Sequence, residues 1–130
     1  MLIIKQNLES EIKAKKSRFL GFAFLIKQET DIKKILLDIN KEYKSAKHVV
    51  YAYRFLDKGV LKEKFDNNKE PVNSAGKPLL YLLQKKEVIN CMLVVIRYFG
   101  GIKLGVGGLV RAYTKAGQAV LEDNLVEHGK

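Results

Sequence analysis

Between Asn90 and Phe99 nearly every residue is apolar, and Cys91-Met92-Leu93-Val94-Val95-Ile96 is unbroken. A strand apolar on both sides has to be covered on both sides, so this run reads as a central strand in a layered fold. Directly after it, Gly100-Gly101-Ile102-Lys103-Leu104-Gly105-Val106-Gly107-Gly108 holds five of the chain's ten glycines. From about Gly107 the spacing of Leu109, Tyr113, Ala116 and Val120 predicts a helix with a buried stripe, leaving Arg111, Lys115, Gln118 and Glu122 outside.

The preceding chain supplies the partners of that strand. Ile12-Lys13-Ala14-Lys15 alternates apolar and basic, and Arg18–Ile26 is rich in Phe, Leu and Ile, which together predict an antiparallel hairpin turning near Lys16-Ser17. After Thr30, a candidate N-cap, Ile32, Ile35, Leu36, Ile39 and Tyr43 fall on one helical face. His48–Phe55 returns to a period of two, with Val49, Tyr51, Tyr53 and Phe55 on one side and His48, Val50, Ala52 and Arg54 on the other. Asp57–Asn73 reads as a long polar connection. Ser74 is the candidate cap of a second helix running through Leu79, Leu80 and Leu83 to Lys86, with Pro78 in its first turn. The tail Asp123–Lys130 has no periodicity and is expected to fray. The order β-β-α-β-α-β-α is that of an α+β sandwich on a mixed sheet, with helices on one or both faces.

At 130 residues the chain has the length of a single domain, 1–130. Its 24 Lys and Arg against 14 Asp and Glu leave a net charge of +10, which points to a polyanionic partner. The single cysteine cannot form an internal disulfide, so a reducing cytoplasm is the expected setting. Neither a signal-peptide core nor a stretch near the roughly 18 apolar residues of a membrane span is present, and no membrane partner is expected.

The glycine-rich segment is the most distinctive chemical feature. Glycines permit close backbone approach, and a helix start offers free N–H groups to an anion. Arg97, Lys103, Arg111 and Lys115 surround it, and no acidic residue occurs between Glu87 and Glu122. Phosphate contact by Arg97, Lys103, Arg111 and Lys115, over Gly100, Gly101, Gly105, Gly107 and Gly108, is the expectation. A plain strand-to-helix turn beside a solvated basic face is the alternative. Arg54 and Lys77 are second-rank phosphate candidates.

Named phosphate motifs fail. Gly76-Lys77 is followed by Pro78 rather than Ser or Thr, and Gly105-Val106-Gly107-Gly108-Leu109-Val110 breaks the dinucleotide pattern at its last position. Two histidines and one cysteine are too few for a typical zinc site, so no metal, cofactor or catalytic residue is assigned. His48 reads as structural, nothing in the spacing pairs Asp66 with Glu70, and Tyr51, Tyr53 and Phe55 read as core.

Val94–Tyr113, with Val-Ile-Arg-Tyr-Phe-Gly-Gly followed by Lys-Leu-Gly-Val-Gly-Gly-Leu-Val-Arg-Ala-Tyr, resembles the signature of the IMPACT/YigZ family. Lys16–Gly21, His48 with Tyr51–Arg54, and Glu70-Pro71 with Ala75–Pro78 agree with it, so the resemblance covers about Lys15 to Leu121. It implies a fold akin to domain IV of elongation factor G and the second domain of a small-subunit ribosomal protein. In that fold the helices lie mainly on one sheet face, with a left-handed βαβ crossover. It also implies that this chain lacks the second, domain V-like unit of bacterial relatives. Val50 stands where relatives often have cysteine, and Val72-Asn73-Ser74 replaces a smaller Ser-Gly-Thr-like stretch.

The reading that joins charge and resemblance is a non-enzymatic, translation-associated module that binds RNA or the ribosome. Two alternatives stay open. One is a small-molecule phosphate or nucleotide enzyme using the glycine-rich loop, as kinases of the same superfamily do. The other is a protein-binding stress regulator contacting its partner through residues 57–73.

Overall fold

The computed structural model describes residues 1–129. In chain order they form β1 (Leu2–Ile4), β2 (Leu8–Ala14), β3 (Ser17–Leu25), α1 (Glu29–Glu42), β4 (His48–Asp57), β5 (Val60–Asp66), α2 (Gly76–Lys85), β6 (Cys91–Tyr98), α3 (Gly105–Leu121) and β7 (Leu125–Glu127). The apolar run is β6, buried from Cys91 to Arg97, at the centre of a five-stranded sheet ordered β2-β3-β6-β4-β5.

Both faces of β6 are covered, as its composition demands. On one face Phe19, Ala23, Val50, Ala52, Leu93 and Val95 meet α2 and α3 through Leu79, Leu83, Leu109, Tyr113, Ala116 and Val120. On the other, Phe22, Tyr53, Phe55, Met92, Val94 and Ile96 meet Ile32 and Ile39 of α1. Each fully buried large side chain of this kind contributes about 1.5–3 kcal/mol of transfer free energy. Two helices thus lie on one face, and the third closes the other. The aromatic set Tyr51, Tyr53 and Phe55 belongs to the α1-side core, as its period-two spacing implied.

The sheet is antiparallel throughout, not mixed. The physical reason lies in strand insertion. β3 and β4 run the same way around α1, but β6 enters between them; β5 and β6 run the same way around α2, but β4 lies between them. Each crossover therefore joins parallel strands that are not neighbours.

Most of the expected loop Asp57–Asn73 is a hairpin. β4 continues to Asp57, turns at Lys58-Gly59 with φ of +51° and +83°, and returns as β5 with Asp57 opposite Val60. β5 is an edge strand with almost every side chain exposed, so its sequence carries no apolar alternation. The expected fraying tail also acquires structure: Leu125–Glu127 pairs with Leu2–Ile4, and Asn124 bonds to Gln6 and Val120; Lys130 lies outside the described residues.

Helix and turn boundaries shift modestly. The first hairpin turns at Lys15-Lys16, both at positive φ. α1 starts after Gln28, with the Asp31 carboxylate accepting from the Lys27 and Gln28 amides. α2 starts after Ala75, because the Ser74 hydroxyl donates to the Pro71 carbonyl instead of capping. α3 starts at Gly105, two residues before the expected Gly107.

Candidate nucleic-acid interface

Arg97 ends the buried part of β6 on the face that meets α3. Its Nη1 donates to both Glu70 carboxylate oxygens at 3.0 and 2.9 Å, and its Nη2 lies 3.5 Å from Ser17 Oγ. The guanidinium sits between the rings of Phe19 and Phe99, 5.7 and 5.5 Å from their centroids. Glu70 also accepts from the Tyr113 hydroxyl and lies 3.4 Å from His48 Nε2, while His48 Nδ1 bonds the Asn68 carbonyl at 2.7 Å. Burial pushes the Tyr113 phenol well above its ordinary range, and the bond to Glu70 adds to it. Arg97, expected from the sequence to contact phosphate, is instead held in an internal ion pair with Glu70. Its buried Nε has no partner among the described residues.

Arg54, also expected to contact phosphate, is likewise held by an internal ion pair. Its Nε donates to Glu63 at 3.1 Å and its Nη1 to the Leu83 and Val88 carbonyls at 3.3 and 3.1 Å. It ties β4 to the carbonyls at and just beyond the end of α2 rather than facing a ligand.

The glycine-rich segment forms the loop between β6 and α3. A Cβ on Gly100 would stand 2.0 Å from the Lys16 carbonyl oxygen, so the β2–β3 turn packs directly on this backbone. Gly105 opens α3 at φ +75°, and Gly107 and Gly108 fill its first turn, while Gly101 is exposed. Close packing thus accounts for Gly100 without a ligand. The loop nevertheless borders a cleft of about 440 Å³ lined by Lys47, Phe99, Lys103, Gly105 and Val106, with the Glu70–Arg97 pair also in its lining.

Arg111 and Lys115 are exposed on α3, as expected. The fold brings the end of the first hairpin to them across a groove of about 230 Å³ lined by Ile12–Lys15, Leu104 and Gly108, with Lys15 as a third cation, while Lys13 stands opposite Arg18 on the other sheet face. None of Lys15, Arg111 and Lys115 is ion-paired with a described residue. Leu104 borders both the groove and the cleft, so Lys103 and Lys47 continue the same basic surface. Lys77 is exposed but separate, in a groove between α2 and α3.

Sequence reasoning missed Lys15, Lys47 and the buried carboxylate Glu70. The alternation at Ile12–Lys15 signals an edge strand with outward lysines, but only the packing of α3 beside β2 makes Lys15 part of a cluster. Among the described residues no group of three or more His, Cys, Asp and Glu is placed to hold a metal ion, and no helix is long and apolar enough to cross a membrane.

The Impact N-terminal domain family matches residues 15–121. The IMPACT family member YvyE of Bacillus subtilis is 37% identical over 113 residues, which are 87% of this chain and 52% of that protein. A crystal structure of a hypothetical protein superposes with a TM-score of 0.86 at 30% identity, covering 95% of this chain and 60% of that one. The two-domain translational regulator Yih1 shares the fold at a TM-score of 0.52 and 24% identity, over 93% of this chain and 46% of that one. The chain thus spans little more than half the length of YvyE.

Proposed function

Since this chain belongs to the Impact N-terminal domain family, we propose that it is a non-enzymatic, translation-associated module that binds RNA, free or in the ribosome. The observation that carries this reading is the convergence of Lys15, Arg111 and Lys115 on one groove that has no acidic lining. Three exposed cations held together with no ion-pair partner among the described residues attract a polyanion. The process comes from the resemblance, which implies translational control in eukaryotic relatives, and a protein named as a translational regulator has the same fold. A cytoplasmic location fits this reading.

Phosphate contacts position an RNA without reading its sequence, so the groove accounts for affinity and salt dependence. The test is a fluorescence-anisotropy titration of ribosomal and transfer RNA fragments at several salt concentrations, with a Lys103→Ala, Arg111→Ala variant alongside. Each lost contact should flatten the slope of log affinity against log salt by about 0.7–0.9. An unchanged slope and affinity would remove the assignment.

A further inference from the structure

Tyr81 is 62% exposed on α2, although an aromatic ring normally contributes more by being buried. Lys77 and Lys85 lie four residues to either side of it, so the three side chains form one stripe along the helix, about 12 Å from end to end. Opposite them, Val110, Thr114 and Gln118 of α3 repeat the same four-residue spacing. The two stripes wall a groove of about 520 Å³, completed by Asn73, Pro78 and Leu82. No carboxylate lines it.

The core does not require this arrangement. α2 is held by Leu79, Leu82 and Leu83 on its buried side, and Tyr81 makes no side-chain hydrogen bond with a described residue. An open ring between two cations suits a ligand that carries negative charge along its length and presents flat π-faces between the charges. An unpaired stretch of nucleic acid has that chemistry, because its bases are free to stack on aromatic rings while its phosphates meet lysines. A duplex has phosphates but no free base faces, and an acidic peptide has charge without obligatory rings.

We propose that the α2–α3 groove binds an unpaired segment of RNA, with a base stacked on Tyr81 and flanking phosphates on Lys77 and Lys85. This rests on the RNA reading above and assigns the groove a separate task. The basic groove beside β2 grips backbone of any structure, and this one selects RNA that has unpaired bases.

The test uses two RNA probes of equal length, a single strand carrying 2-aminopurine and a blunt-ended duplex, with the whole chain and its Tyr81→Ala and Tyr81→Phe variants. Tyr81 is exposed, so both variants should retain the wild-type melting temperature. The expected result is that Tyr81→Ala weakens the single strand roughly five- to hundred-fold, leaves the duplex and the salt slope unchanged, and is rescued by Tyr81→Phe. The 2-aminopurine fluorescence should be quenched by the wild type and by Tyr81→Phe, but not by Tyr81→Ala. Equal affinities of the wild type and Tyr81→Ala for the single strand would overturn the groove assignment while leaving the RNA reading in place. Failure of the wild type to bind either probe would defeat the RNA reading itself. Retention of a purified protein partner that depends on Tyr81, with RNA binding unaffected, would reassign the groove to protein.

Discussion

Glu70 is a buried hub of polar contacts, balancing Arg97 while accepting from Tyr113. Replacing it by alanine strands the Arg97 guanidinium without a counter-charge, and the expected loss is about 3–5 kcal/mol in urea unfolding. Tyr113→Phe removes one bond to a charged acceptor and should cost about 1.5–3 kcal/mol. A Glu70→Ala protein as stable as the wild type would mean that the pair is not formed in solution. Cys91 gives a prediction of a different kind. Burial pushes its thiol from an ordinary 9.0 up to about 12. The neutral thiol is thus favoured by folding, so its contribution to stability is complete below about pH 9 and is lost as the pH rises toward 12. At pH 8 a thiol reagent should leave the native protein unmodified and react promptly once urea is added. Rapid reaction of the native form would place Cys91 elsewhere than in the sheet centre.

At the scale of elements, the glycine-rich loop acts first as a packing joint. Gly100→Ala would drive a methyl group into the Lys16 carbonyl, displacing either the β2–β3 turn or the start of α3. A destabilisation of about 1–3 kcal/mol is expected, with shifted amide resonances at Lys15 and Lys16; an unperturbed turn would contradict the contact. The elements that were legible in the sequence are those with a buried face. β6, α1 and α3 declare themselves through Cys91–Ile96, Ile32–Tyr43 and Leu109–Val120, because apolar spacing records which side chains leave water. β5 was not legible, since an edge strand with one half-buried residue, Phe65, leaves only the Lys58-Gly59 turn as its mark. β7 was hidden for a related reason, as three residues paired to the N-terminus carry no period of their own. The mixed-sheet expectation failed because sequence order does not record that β6 inserts between β3 and β4.

For the whole molecule, charge and architecture act together. Both sheet faces are closed, by α1 on one side and by α2 and α3 on the other, so a ligand must meet the outer surfaces of helices and the sheet edge. Lys103, Arg111 and Lys115, expected from the sequence to contact phosphate, are exposed before and along α3. The sequence could not separate them from Arg97 and Arg54, whose ion pairs with Glu70 and Glu63 join residues 27 and 9 positions apart. Nor could it bring Lys15 beside α3, a placement made by the fold alone. The central claim is that this basic surface is where RNA binds. Its most direct test is to titrate a structured ribosomal RNA fragment into isotope-labelled protein and map the amide shifts. Perturbations centred on Lys13–Lys15 and Leu104–Lys115, with α1 and β5 silent, are the predicted result; shifts centred on α1 or β5, or none at saturating RNA, would contradict it.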